Sequence, residues 1–110
     1  MEGADSISPD ELAERLASSH PPRLLDVREP NEHDYVTLPG SKLIPLGQLM
    51  DRHQEIEAWR EHEVVVFCHH GIRSQQGIRI LHSVGFRNLL NLAGGIDRYA
   101  TDVDSTLNRY

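Results

Sequence analysis

The segment CHHGIRS, residues 68–74, sets the chain's one cysteine beside two histidines, a glycine, an arginine and a serine. It follows VVVF, a run of apolar β-formers, so Cys68 stands where a buried strand gives way to a loop. Residues 74–84 read as a helix, which makes this loop a strand-to-helix turn whose backbone N–H groups lack regular partners. Converging N–H groups of that kind form an anion site. A thiol at its mouth ionises more easily, because the thiolate is the anion being held. Gly71 permits the positive φ that a tight cradle needs, and Arg73 adds a permanent charge that can lock the loop against a carboxylate. The chemistry indicated is nucleophilic attack by sulfur. Taken alone, the same residues also describe a buried structural cysteine at a strand end.

Other polar residues gather around the same position. Asp26 ends an apolar run, where a lone carboxylate is costly unless paired. It serves either as a partner orienting Arg73 or the loop amides, or as a cap for a turn at Pro30; the strand-end position favours the first. Arg28 and Glu32 either complete an ion-pair network beneath the loop or form a solvated surface pair. His69 and His70, when protonated, attract an anionic donor; otherwise they face water as variable loop positions. Ser74 reads as the N-cap of the following helix. No metal is expected, since adjacent histidines rarely converge on one ion and no second ligand pair has finger-like spacing. The histidines at 20, 33, 53, 62 and 82 are expected at the surface.

These residues must be positioned by a strand–helix alternation. Ser8, Pro9 and Glu11 open a first helix through a capping box, with Leu12, Ala13 and Leu16 on its apolar face and Pro21-Pro22 beyond its end. Residues 24–27 form a short strand, and residues 28–32 a polar loop or helical turn. Leu43-Ile44 is a second strand, ended by Pro45. Residues 46–60 look helical, with Leu46, Leu49, Met50, Ile56 and Trp59 as core candidates. After the central strand and the helix closed by Gly85 come a last strand at 88–92, a turn at Gly94-Gly95 and a terminal helix. Strands separated by helices pair in parallel through right-handed crossovers, and ligands sit at the carboxyl ends of such strands. Both Cys68 and Asp26 fall there.

Composition narrows the class. A chain of 110 residues reads as one domain over 1–110, with residues 1–5 as a flexible tail. The net charge of -6 argues against nucleic acid and anionic membrane as partners. No apolar run approaches the ~20 residues of a membrane span. The start MEGADSISPDEL lacks the basic and apolar regions of a secretory signal. A single cysteine makes no internal disulfide, so a reducing, cytoplasmic location is expected.

Across residues 7–110 the chain resembles a single-domain rhodanese of the thiosulfate sulfurtransferase family. LLDVREPNEH resembles that family's strand-end Asp-x-Arg segment with its downstream Glu. CHHGIRS resembles its Cys-x-x-Gly-x-Arg active loop followed by a small residue, and GFRNLLNLAGGIDRY its Gly-Phe, Asn-Leu and Gly-Gly-Ile stretches. In PGSKLIP the Pro-Gly and Ile-Pro remain, but Val36-Thr37 replace a frequent Gly-His pair; Gln76-Gly77 and Tyr99 also depart from the usual residues. The resemblance implies a small three-layer α/β sandwich with a mostly parallel sheet of about five strands flanked by helices. It implies catalysis by Cys68, with residues 69–74 (His69, His70, Gly71, Ile72, Arg73, Ser74) as the anion cradle and Asp26, Arg28 and Glu32 supporting it. It implies a persulfide formed from a small sulfur donor such as thiosulfate and passed to cyanide, a thiol or an acceptor protein, without a cofactor. Phosphatases of the related architecture carry five residues between Cys and Arg; here there are four, which the family associates with sulfur rather than phosphate. The rival from another class is a non-catalytic rhodanese-like module that binds a partner or senses redox state.

Overall fold

The VVVF run lies at the centre of a five-stranded parallel sheet. The computed structural model describes residues 5–110. In chain order its elements are β1 (Ser6–Ile7), α1 (Pro9–Leu16), β2 (Arg23–Asp26), α2 (Pro30–Tyr35), β3 (Lys42–Leu43), α3 (Leu49–Arg52), β4 (Val64–Phe67), α4 (Arg73–Ser83), β5 (Leu89–Leu92) and α5 (Gly95–Asp102). The sheet order is β1-β5-β4-β2-β3, so β4 is flanked on both sides by other strands. All four residues of β4 are buried, which is what a continuous apolar strand between two helical layers requires.

Alternation along each strand divides the core in two. One face carries Leu25, Val64, Val66, Cys68 and Leu89 against Leu49, Ile56, Ile78 and Leu81. The opposite face carries Leu24, Val65, Phe67 and Leu92 against Leu12, Val36, Leu38, Ile96 and Tyr99. This is the expected three-layer α/β arrangement.

Local signals hold at the well-punctuated ends. Ser8 caps α1 through the Glu11 amide, and the Glu11 side chain reaches back to complete the box. Gly85, at φ +102°, follows α4 in the left-handed conformation expected there. Two expectations need correction. The helix over 46–60 is broken into a 3₁₀ turn, the short α3 and a further 3₁₀ stretch, with a non-helical Ile56 at φ -116°. Met50 points out of the core, 51% exposed, because the broken segment cannot keep one continuous apolar stripe. The expected sheet of about five strands is completed by β1, which no residue pattern marks and which pairs with β5 through Ser6↔Asn91 and Ile7↔Leu92. Of the expected tail, Asp5 is seen accepting the Asn91 amide at 2.8 Å, while residues 1–4 lie outside those described. Among the described residues, no helix is long and apolar enough to cross a membrane.

Candidate functional site

Cys68 continues β4 by one residue and is 1% exposed. Its Sγ accepts the Gly71 N–H at 3.1 Å and the Ser74 N–H at 3.4 Å. The first donor comes from the turn, where Gly71 holds φ +100°. The second lies in the first turn of the eleven-residue α4, where helical N–H groups have no intrahelical acceptor. Strand end, glycine turn and helix start therefore converge on one sulfur atom.

The loop is fastened from behind. Its Cys68 and His69 carbonyls accept the Ile96 and Asp97 amides of α5 at 2.9 and 3.1 Å. That approach requires glycine at position 95: at φ +66°, a Cβ there would sit on the His69 carbonyl. The loop also leans on β5 through Asn91, a buried amide whose Nδ2 donates to the Gly71 carbonyl at 3.3 Å. Asn91 Oδ1 accepts the Ser74 hydroxyl. Ser74 is thus not the helix cap; Ile72 occupies that position, without a side-chain cap bond. Ser74 turns inward, fully buried, with its Oγ 3.5 Å from Cys68 Sγ.

Arg73 is held by Glu32, not by Asp26. Its two terminal nitrogens donate to the two Glu32 oxygens at 2.7 and 2.9 Å, a bidentate pair that bridges α4 to α2. Asp26 is out of reach because register aligns it with Phe67, one residue before Cys68. Residues opposite one another share a face, so Asp26 and Cys68 point to opposite sides of the sheet. Asp26 instead accepts the Arg28 backbone amide at 3.0 Å and the Arg28 Nε and Nη2 at 2.8 and 2.7 Å. His33 Nδ1 and the Thr37 hydroxyl reach the same carboxylate at 2.9 and 3.2 Å. It does not cap α2 either; the cap of that helix is Glu29, whose backbone N–H donates to Glu32 Oε1 at 2.9 Å. His33 is therefore part of this cluster and not a free surface histidine.

Tyr110 joins the two ion pairs. Its hydroxyl accepts from Arg28 Nη1 at 2.9 Å and donates to Glu32 Oε2 at 2.7 Å. Burial pushes the phenol above its ordinary pKa, which keeps the donated proton in place. The same ring stacks on His69 at 3.9 Å. Arg28, expected either in a network or at the surface, is wholly buried in the network. Burial, followed by the neighbouring His70, lowers the His69 pKa, so its ring is neutral at neutral pH. A neutral His69 adds no charge to the Gly71 and Ser74 amides that meet the Cys68 sulfur. His70 and Ile72 are exposed at the loop tip, Ile72 to 68%.

The Glu32 carboxyl is held down to about 2 from its ordinary 4.5, first by Arg73. A depressed folded-state pKa contributes stability above the ordinary value, lost as pH falls from about 4.5 towards about 2. Thermal melts should therefore show wild type more stable than Glu32→Gln at neutral pH, with the gap closing through that acidic window. A gap independent of pH would contradict the assignment.

Sequence reasoning passed over Asn91, His33, Thr37 and Tyr110. Asn91 had a usable signal, as the one polar residue in LLNL. The other three are brought in by tertiary contact.

Comparison with known proteins agrees with this geometry. The model of the rhodanese-like domain matches residues 8–102. The sulfurtransferase of Allochromatium vinosum is 32% identical over 96 residues, covering 87% of this chain and 88% of that protein. Rhodanese-like/PpiC domain-containing protein 12 of Arabidopsis thaliana is 39% identical over 90 residues, 80% of this chain and 30% of that protein. The chain spans only 25% to 30% of several such curated relatives. The structure of the human single-domain sulfurtransferase TSTD1 superposes with a TM-score of 0.78 at 30% identity, over 91% of this chain and 98% of that one. With the cysteine loop, the five-stranded parallel sheet and a family model spanning residues 8–102, the chain belongs to the rhodanese-like domain family.

Proposed function

We propose that this chain is a sulfurtransferase, acting as one domain, that carries sulfane sulfur as a persulfide on Cys68. The donor is thiosulfate or a similar small anion, and the acceptor is cyanide, a small thiol or a thiol on an acceptor protein. The observation that carries the reading is Cys68 Sγ seated on the Gly71 and Ser74 amides at the start of α4. The kinship with sulfurtransferases from Allochromatium and human supports it.

In the first half-reaction the Cys68 thiolate attacks the outer sulfur of thiosulfate. A sulfur–sulfur bond forms to Cys68, the donor's own sulfur–sulfur bond breaks, and sulfite leaves with the electron pair. The negative charge then rests on the terminal sulfur of the persulfide, where main-chain N–H groups and Arg73 stabilise it. In the second half-reaction the acceptor attacks that terminal sulfur, and the thiolate is restored. No cofactor enters the balance, and no general base is needed once the thiol is ionised. A reducing compartment such as the cytoplasm suits a carrier with one thiol and no resolving partner.

The test is initial-rate kinetics of transfer from thiosulfate to cyanide, with both substrates varied. Covalent sulfur carriage predicts parallel double-reciprocal lines, whereas converging lines would require both substrates bound together and would overturn it. Arg73→Ala should lower kcat/KM by roughly a hundredfold, since it removes a fixed charge and unties the loop from Glu32. Activity within about twofold of wild type would contradict the role given to Arg73. The burial of Cys68 favours one second reading, a binding module with an inert thiol. Under that reading the folded protein would turn over no donor at all.

A further inference from the structure

The hydrogen bonds among Gly71, Asn91 and Ser74 fix where their protons lie, and one of those protons is contested. The Gly71 carbonyl can only accept, so the Asn91 amide nitrogen faces it at 3.3 Å and Asn91 Oδ1 faces Ser74. The Ser74 hydroxyl has a single hydrogen, and Asn91 Oδ1 holds it. Towards Cys68, 3.5 Å away, Ser74 Oγ thus presents lone pairs. That suits a thiol, which donates. It does not suit a thiolate or persulfide, which can only accept.

We propose that Asn91 is a positioning residue of the sulfur site, tying Gly71 in place and competing with the Cys68 sulfur for the Ser74 hydroxyl proton. In the resting thiol the chain runs from Cys68 S–H to Ser74 O–H to Asn91 Oδ1. As negative charge develops on sulfur, the Ser74 hydroxyl rotates from Asn91 Oδ1 to sulfur, adding a third donor to the Gly71 and Ser74 amides. Asn91 Oδ1 gives up its bond in that state. The competition keeps the free thiol protonated longer than the cradle alone would, and it reserves the hydroxyl for the charged form. This rests on Cys68 being the reacting atom of the proposed transfer, but not on the identity of donor or acceptor.

The native charged groups around the sulfur are left in place in every variant, and only Asn91→Asp adds one. Arg73 faces Cys68 from the start of α4 and is paired to Glu32 of α2. His69 and His70 follow in the loop, with Asp97 of α5 acting on both, and the Asp26–Arg28 pair lies on the other face of β2. From β5 the only polar side chain is the uncharged Asn91.

The experiment is the pH dependence of Cys68 alkylation by iodoacetamide, which needs no sulfur donor, in wild type, Asn91→Leu, Asn91→Asp, Ser74→Ala and the Ser74→Ala/Asn91→Leu double variant. Thermal melts identify which variants are folded. Asn91→Leu frees the Ser74 hydroxyl and should move the alkylation profile about one unit to lower pH, the scale of one hydrogen bond to a charged group. Asn91→Asp binds that proton harder and adds like charge, so the profile should move to higher pH. The leucine shift should vanish in the Ser74→Ala background, because no contested proton remains. Unmoved profiles, or a shift that survives Ser74→Ala, would overturn the proposal. If Asn91→Leu does not fold, the Asn91→Asp shift is compared with and without Ser74→Ala, and a shift that is the same size in both backgrounds overturns the proposal. A wild type that alkylates with the expected variant shifts yet never accepts sulfur would sink the proposed function and leave the role of Asn91 standing.

Discussion

Cys68→Ser should abolish transfer from thiosulfate to cyanide, lowering the rate by roughly a thousandfold or more to the level of the uncatalysed reaction. The chain has no other thiol to take over, and a serine hydroxyl stays protonated at any pH where the fold survives. The substitution is close to isosteric at a site where Sγ accepts two N–H groups, so the variant should fold with a melting temperature near wild type. Residual activity within about tenfold of wild type would show that sulfur is carried elsewhere, or that donor and acceptor react without a covalent stage.

Asp26→Ala should cost about 3–5 kcal/mol of stability, the range for removing one member of a buried ion pair. Asp26 and Arg28 are both 0% exposed. With the carboxylate gone, the guanidinium keeps only the Val36 carbonyl and the Tyr110 hydroxyl as acceptors. A charge left in that state carries its full desolvation cost. Chemical denaturation should show the loss at neutral pH. Replacing both partners, as in Asp26→Leu/Arg28→Met, should recover much of it, because a packed apolar pair avoids the uncompensated charge. A loss below about 1 kcal/mol in Asp26→Ala would mean that water or His33 replaces the carboxylate easily.

How far the sequence revealed this site depended on how each residue is specified. The cradle was legible because its determinants are local: a β run into Cys68, a glycine at Gly71 and a helix starting near Ser74 fix which amides converge. The partner of Arg73 was not. Glu32 lies 41 positions away on another helix, and choosing it over Asp26 depends on the register that aligns Asp26 with Phe67. Once that register is known, the two-residue period places Asp26 on the wrong face. β1 escaped notice since two residues carry no periodicity, and only pairing with β5 makes Ser6 and Ile7 a strand. Met50 faces out because the short α3 buries only Leu49, and neighbouring helix positions point in different directions. Ser74 follows the usual preference for helix starts, yet its hydroxyl is buried and recruited by Asn91. Tyr110 bridges Arg28 and Glu32 from 82 and 78 positions away, a placement no local pattern encodes.

Intact mass spectrometry of the wild-type chain, before and after thiosulfate and then after cyanide, tests the central claim most directly. Covalent carriage predicts a gain of one sulfur atom on mixing with thiosulfate, located at Cys68 by fragmentation, and return to the starting mass with cyanide. A folded wild-type chain whose mass never changes in the presence of donor, or whose added sulfur cyanide cannot remove, would contradict it.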